Sequence, residues 1–263
     1  VSRSGNGDGR MTIDFTPRPG AAPLPRMVAA QAGAEIRAML RNGEQLLLLL
    51  IIPVLLLAGF SLAPLIEVEG SRIGFVTPGV LALAVMSTAF TGQAIATGYE
   101  RRYGVLKRLG ATPLSRPGLL LAKTCAIVAV ELLQIAVVCA VALGLGWSPA
   151  GNPLWLVPLV LLGTAAFSGL GLLMAGTLRA EATLAAANLV YLVLLGLGGV
   201  VFPISRFPAA MQPVLELLPI TALTGGMRAV LADGGAVPAG PLLVLLGWAV
   251  VSLAAAARTF RWE

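Results

Sequence analysis

Acidic and basic side chains gather most densely in the stretch Gly98–Pro117, GYERRYGVLKRLGATPLSRP. Glu100, Arg101, Arg102, Lys107 and Arg108 offer ion pairing to a partner, and Val105, Leu106 and Leu109 offer an apolar ridge between them. Gly104 is expected to permit close backbone approach, and Pro113 to end the helix. The chemistry is docking, since nothing here resembles a catalytic constellation. The plainer alternative is a basic loop that only sets topology. Deeper in apolar sequence stand Glu131, Gln134, Gln93 and Asn188. A carboxylate at membrane depth must face protein or a wet cavity, or hold a proton. Glu131 is therefore read either as a pathway residue that attracts a cationic substrate or as a structural group bonded to Gln134 or a neighbouring helix. Gln93 and Asn188 are read as interhelical hydrogen-bonding residues or as pathway ligands.

What is missing narrows the choice further. The chain has no histidine, which excludes Ser-His and Cys-His nucleophile pairs and the HExxH zinc site. No catalytic residue and no metal site is expected. Cys125 and Cys139 lie on one apolar stretch, about 21 Å apart if it is helical, beyond disulfide reach. The run GLLLAKT, Gly118–Thr124, ends like a phosphate-binding loop, but Ala122 stands where a glycine is required and Pro117 where the first glycine belongs. Lys123 is expected to snorkel toward headgroups.

The elements that position these groups follow from composition. Of 263 residues, 57% are apolar and 11% charged, and the mean hydropathy is +0.90. So little charge cannot cover a water-facing surface of this size, so lipid is the solvent for most of the chain. The expected fold is an all-α integral membrane domain with six transmembrane helices. They are placed at Leu46–Ile66, Val76–Thr97, Leu119–Leu145, Leu154–Leu178, Ala182–Phe202 and Val237–Ala257. Residues 1–25 read as a mobile cytoplasmic tail and 26–263 as the membrane domain. Leu46 opens an apolar run too long for the core of a secretory signal. Residues 26–44 read as an N-terminal interfacial amphipathic helix: Arg26, Arg37 and Arg41 fall within about 60° at 100° per residue, opposite Val28, Ala32, Ile36 and Met39, which are expected to lie in the acyl boundary. Residues 203–236 carry Pro203, Pro208, Pro213 and Pro219 and are too broken to span yet too apolar for a solvated loop. They read as an external re-entrant helical segment between the fifth and sixth spans. The glycine runs at Gly169–Gly176 and Gly196–Gly199 are expected to allow close helix packing.

Orientation is read from Lys and Arg. With the N-terminus inside, 15 of the 18 basic residues fall in cytoplasmic segments and only Arg72, Arg206 and Arg228 outside. Both termini are thus expected on the cytoplasmic side of the plasma membrane. The basic balance is a topology signal, and no nucleic-acid partner is expected.

Three stretches together resemble the type-2 ABC transporter permeases, the daunorubicin-resistance branch in particular. YERRYGVLKRLGATPLSR resembles that family's coupling region: an acidic-basic cluster, a glycine, a short leucine-bearing helix and a small-Thr-Pro ending. EIRAMLRNGEQLLLLLIIPVLL resembles its entry into the first span, with Glu35, Arg41, Asn42 and Pro53 in place. FPISRFPAAMQPVLELLPITALTGGMR resembles its segment after the fifth span, where Phe202-Pro203, Pro208, Pro219-Ile220-Thr221 and Arg228 recur. The resemblance covers about residues 33–258. It implies a permease subunit of an ATP-driven exporter of amphipathic drugs, antibiotics or lipid-like molecules, with 98–117 as the coupling-helix region. It further implies a second permease subunit, as homodimer or heterodimer, and two copies of a separate ABC ATPase. ATP and Mg would belong to that ATPase, so this chain is expected to hold no cofactor and to be no enzyme itself. Two rival readings are an ATP-independent secondary transporter, which would call for paired intramembrane charges or interrupted helices in both halves, and a membrane scaffold, which leaves the coupling-type loop unexplained.

Overall fold

A computed structural model describes residues 20–62, 71–200, 202–236 and 238–259. Most of the tail read at 1–25, and the ends of the first and sixth expected spans, lie outside those residues. The regular elements of the described residues are all helices, without strands. In chain order the helices are α1 Leu24–Arg41, α2 Gly43–Leu62, α3 Arg72–Met86, a π-helical segment Ser87–Gly92, α4 Gln93–Arg102, α5 Val105–Gly110, α6 Arg116–Gly144, α7 Leu156–Thr177, α8 Ala180–Leu197, α9 Gln212–Glu216, α10 Pro219–Leu231 and α11 Ala239–Thr259.

Among the described residues, five helical stretches are long and apolar enough to cross a membrane: Arg72–Arg102, Pro117–Gly144, Pro153–Thr177, Ala180–Leu197 and Ala239–Thr259. The first expected span corresponds to α2, which is apolar from Leu46 and is described as far as Leu62. The second runs unbroken for 31 residues through α3, the π segment and α4. At 1.5 Å per residue that is about 46 Å against a hydrocarbon core of about 30 Å, so α4 carries its charged end clear of the apolar layer. The fifth ends at Leu197 rather than Phe202 because Gly199 turns into the left-handed region, φ 70°, while the Gly198 N–H closes back on the Leu194 carbonyl.

Burial decides which helix is central. In the α3 span 78% of the apolar window is buried, against 22% for α8 and for α11. A helix apolar on every side belongs inside the bundle, and Val76 through Met86 are buried without a break. Small residues bring α7 against its neighbours. A Cβ on Gly169 would meet Ser252 Oγ of α11 at 2.2 Å, and one on Gly171 would meet the Phe90 carbonyl of the π segment at 2.7 Å. Gly196, in contrast, has open space beside it. The proline-broken segment forms a 3-10 turn at Ile204–Arg206, then α9 and α10. At 13 residues, about 20 Å, α10 is too short to span, yet it buries Ile220, Leu223, Met227 and Val230 in the main core.

The N-terminal helix departs from expectation. Val28 and Ala32 of α1 are buried in protein, in a cluster with Leu106, Leu114, Leu119, Leu120 and Ala122. Part of the apolar stripe therefore packs on α6 rather than facing acyl chains alone, which the small side chain of Ala32 makes possible.

Candidate functional site

At the end of the bundle where α1 lies, the charged connection is two helices rather than one. α4 closes at Arg102, Tyr103 and Gly104 turn, and α5 starts afresh at Val105. Gly104 has φ 69°, a left-handed conformation in which glycine is the default residue. A Cβ there would meet nothing within 4 Å. The glycine thus serves the sharp change of direction, and no other part of the chain crowds it. α5 ends at Gly110, three residues before Pro113, and Ser115 caps α6 by accepting the Gly118 N–H at 3.3 Å.

α5 has two faces. Leu106 is fully buried in the cluster with α1 and α6, and Leu109 packs beside it. Lys107 and Arg108 are exposed, as is Tyr103, whose ring stacks on Tyr99 with centroids 6.2 Å apart. The three charges on α4 are used within the chain. Arg101 donates to the Leu178 carbonyl at the end of α7, and Arg102 pairs with Glu181 at the start of α8. That second pair is solvent-exposed on both sides and contributes little, about 0–1 kcal/mol.

Glu100 points inward. Its carboxylate accepts from Lys123 Nζ at 2.6 Å, and the same ammonium reaches Glu35 of α1 at 2.9 Å. The Lys123 side chain is only 5% exposed, so it does not snorkel to headgroups. It is the hub that ties α1, α4 and α6 together. Spacing could not reveal this, because Glu35 and Lys123 are 88 residues apart. The stretch Gly118–Thr124 is continuous helix, without the loop whose N–H groups would cradle a phosphate.

The buried polar residues fall into distinct arrangements. Gln134 of α6 donates from Nε2 to the Leu49 carbonyl at 2.8 Å and accepts from Thr88 Oγ1 at 2.9 Å. Leu49 is four residues before Pro53, whose missing N–H frees that carbonyl inside α2. The amide therefore mends the proline break and joins α2 to the π segment. Glu131 is fully buried, and its carboxylate accepts from Thr164 of α7, not from Gln134. Gln93 accepts from Ser168 Oγ at 2.9 Å, and Ser168 in turn lies 3.0 Å from Thr124 Oγ1. Asn188 bonds to the Leu184 carbonyl of its own helix.

Two cavities relate these groups. The wider, of about 440 Å³, opens between α2, the π segment and α8, and is lined by Pro53, Ser87, Thr91, Asn188 and Tyr191. The second, of about 220 Å³, lies between α1, α4 and α6 and includes Gln93 with the Glu35–Lys123–Glu100 cluster. Glu131 and Gln134 line neither. The π segment was not anticipated. Its trace in the sequence is STAFTG, a cluster of hydroxyls within an apolar span, and π-bulges recur at functional sites.

Comparison with known proteins places the bundle. The stretch similar to the Linearmycin resistance permease protein LnrN of Bacillus subtilis is 121 residues long, at 31% identity. It covers 45% of this chain and 31% of that relative, so the match spans less than a third of the relative's length. Residues 29–232, from α1 to the end of α10, match the profile of the ABC-2 type transporter, a membrane transport component. The chain belongs to the ABC-2 type transporter family.

Proposed function

We propose that this chain is the permease subunit of an ATP-driven exporter that moves an amphipathic, drug- or antibiotic-like molecule outward across the plasma membrane. It would work as a dimer of permeases over two copies of a separate ATPase, which would hold ATP and Mg. The basic end carrying α1 and α5 would face the cytoplasm, with both termini, and the α9–α10 segment would dip into the outer leaflet. The LnrN relative, by its name a resistance permease, supports the choice of substrate class. The wider cavity, where Ser87, Thr91, Asn188 and Tyr191 interrupt an apolar wall, suits the body of such a substrate.

The observation that carries this reading is the two-faced α5. A conformational change in a soluble subunit must enter the membrane through a rigid element. α5 is held by buried Leu106 on one side and presents Lys107 and Arg108 on the other. Glu100 and Arg101 serve that element from within, by tying α4 to α6 and to the end of α7. The test is co-purification of the ATPase and substrate-stimulated ATP turnover in a Lys107→Glu, Arg108→Glu double variant. Truncating or reversing charges at a buried contact typically costs about 2–5 kcal/mol, so at least a tenfold loss of assembly is expected while the permease remains in the membrane. Normal assembly and turnover would reduce this connection to a topology signal. Glu100→Lys is a poorer probe, because it would set two cations together inside the cluster.

A further inference from the structure

The smaller cavity has properties that the Lys123 cluster alone does not explain. Two carboxylates, Glu35 and Glu100, share the single ammonium of Lys123, so its walls carry one net negative charge. Gln93, 3% exposed, leaves its Nε2 without a hydrogen-bond partner, and Thr97, 1% exposed, leaves its hydroxyl likewise. Both residues line the cavity. Buried polar atoms are rarely left unpaired, because each then loses its hydration without a replacement bond. Asn42 also lines the cavity, and the rest of the wall is apolar, with Met39 and Ile127 the larger members and Ala96 and Ala126 making the room. A cavity of about 220 Å³ is smaller than a typical pocket for a whole drug-sized ligand, so it fits one end of a molecule.

We propose that this cavity binds the head of an amphipathic amine. The ammonium sits against Glu35 and Glu100, a hydroxyl or carbonyl of the ligand takes the Gln93 amide and the Thr97 hydroxyl, and the apolar body lies along Met39 and Ile127. An anionic head is disfavoured, because the one cation is already held by two carboxylates. Capture from the cytoplasmic leaflet for export is the use this site would have, and in that respect the inference rests on the proposed function. The shared chemistry is a protonated amine beside an acceptor, whether on a soluble compound or on a lipid headgroup.

The experiment is a fluorescence titration of the purified full chain in phosphatidylcholine nanodiscs, with empty nanodiscs subtracted. The probe is propranolol, an amino alcohol on a naphthyl ring, and the control is naphthyloxyacetate, an anion on the same ring. Saturable binding of the amine and none of the acid is expected. Thr97→Val removes a hydroxyl that has no partner in the fold, and should weaken the amine about fivefold. Ala126→Met fills the room and should abolish binding, with tryptophan-monitored melting confirming that both variants fold. Competition by added phosphatidylethanolamine would identify a lipid amine as an occupant of the same site. Equal affinity for the acid, no saturable binding, or unchanged affinity in both folded variants would overturn the inference. Because the titration needs no ATPase, its failure leaves the export reading standing, and failed ATPase assembly leaves this site standing.

Discussion

Gln134 shows how a polar residue inside a membrane can answer a backbone problem. Pro53 cannot donate to the Leu49 carbonyl, and a bare carbonyl in an apolar bundle is costly. Gln134 Nε2 reaches it at 2.8 Å, and the other end of the amide accepts from Thr88. Gln134→Leu should therefore lower stability by about 1–3 kcal/mol. Pro53→Ala restores an N–H to α2 and should return much of that loss in the double variant. Thermal unfolding of the four proteins gives the coupling, and additive losses would show that the amide and the proline are unrelated. Glu131 belongs to the same scale. It lines neither cavity and is bonded to Thr164, which favours a structural role over a pathway one. Glu131→Gln keeps an acceptor for Thr164 and should leave both expression and the substrate profile of ATP turnover unchanged. A changed profile would return the carboxylate to the pathway.

At the scale of the element, α5 depends on the angle at which it leaves α4. Gly104 sets that angle through φ 69°. An L-residue in the left-handed region costs about 1–2 kcal/mol, and nothing crowds the position, so Gly104→Ala should fold with α5 slightly misdirected. The expected outcome is near-normal membrane abundance with weaker ATPase co-purification. Intact co-purification together with full stimulated turnover would mean that the angle is not what the partner reads. The short helix was legible in sequence because VLKRLG is bounded by two glycines. The break before it was harder to see, since YERRYGVLKRLG reads as continuous helix until the conformation of Gly104 is known. Local spacing also hid a pairing: Lys123 looks like a headgroup anchor and Glu100 like a free charge until the fold brings both together with Glu35 of α1. The π segment was hidden too, since its neighbours, Gly171 beside the Phe90 carbonyl and Gln134 bonded to Thr88, come from distant sequence.

At the scale of the whole molecule, the apolar runs gave helix positions to within a few residues, because about 20 apolar residues in lipid have one stable backbone solution. The order in which those helices pack was not legible, since apolar faces look alike and α3 is distinguished as central only by its burial. The proposed orientation rests on the sequence pattern of Lys and Arg, which assigns 15 to one side and 3 to the other. It is testable by thiol labelling once Cys125 and Cys139 are replaced, since both are free. Probe positions must respect the packing. Gly151 is a poor site because a Cβ there would meet the Val230 carbonyl at 2.2 Å, whereas Ser148 is exposed in the same connection. Lys107 is exposed on α5 at the other end. A cysteine at Ser148 should react with a membrane-impermeant maleimide in intact cells, and one at Lys107 only after permeabilisation. The two ends must respond oppositely, because α6 joins them in a single 29-residue helix of about 43 Å. Labelling of Lys107→Cys from outside would put α5 beyond the reach of any cytoplasmic ATPase, and the exporter reading would fall with the topology.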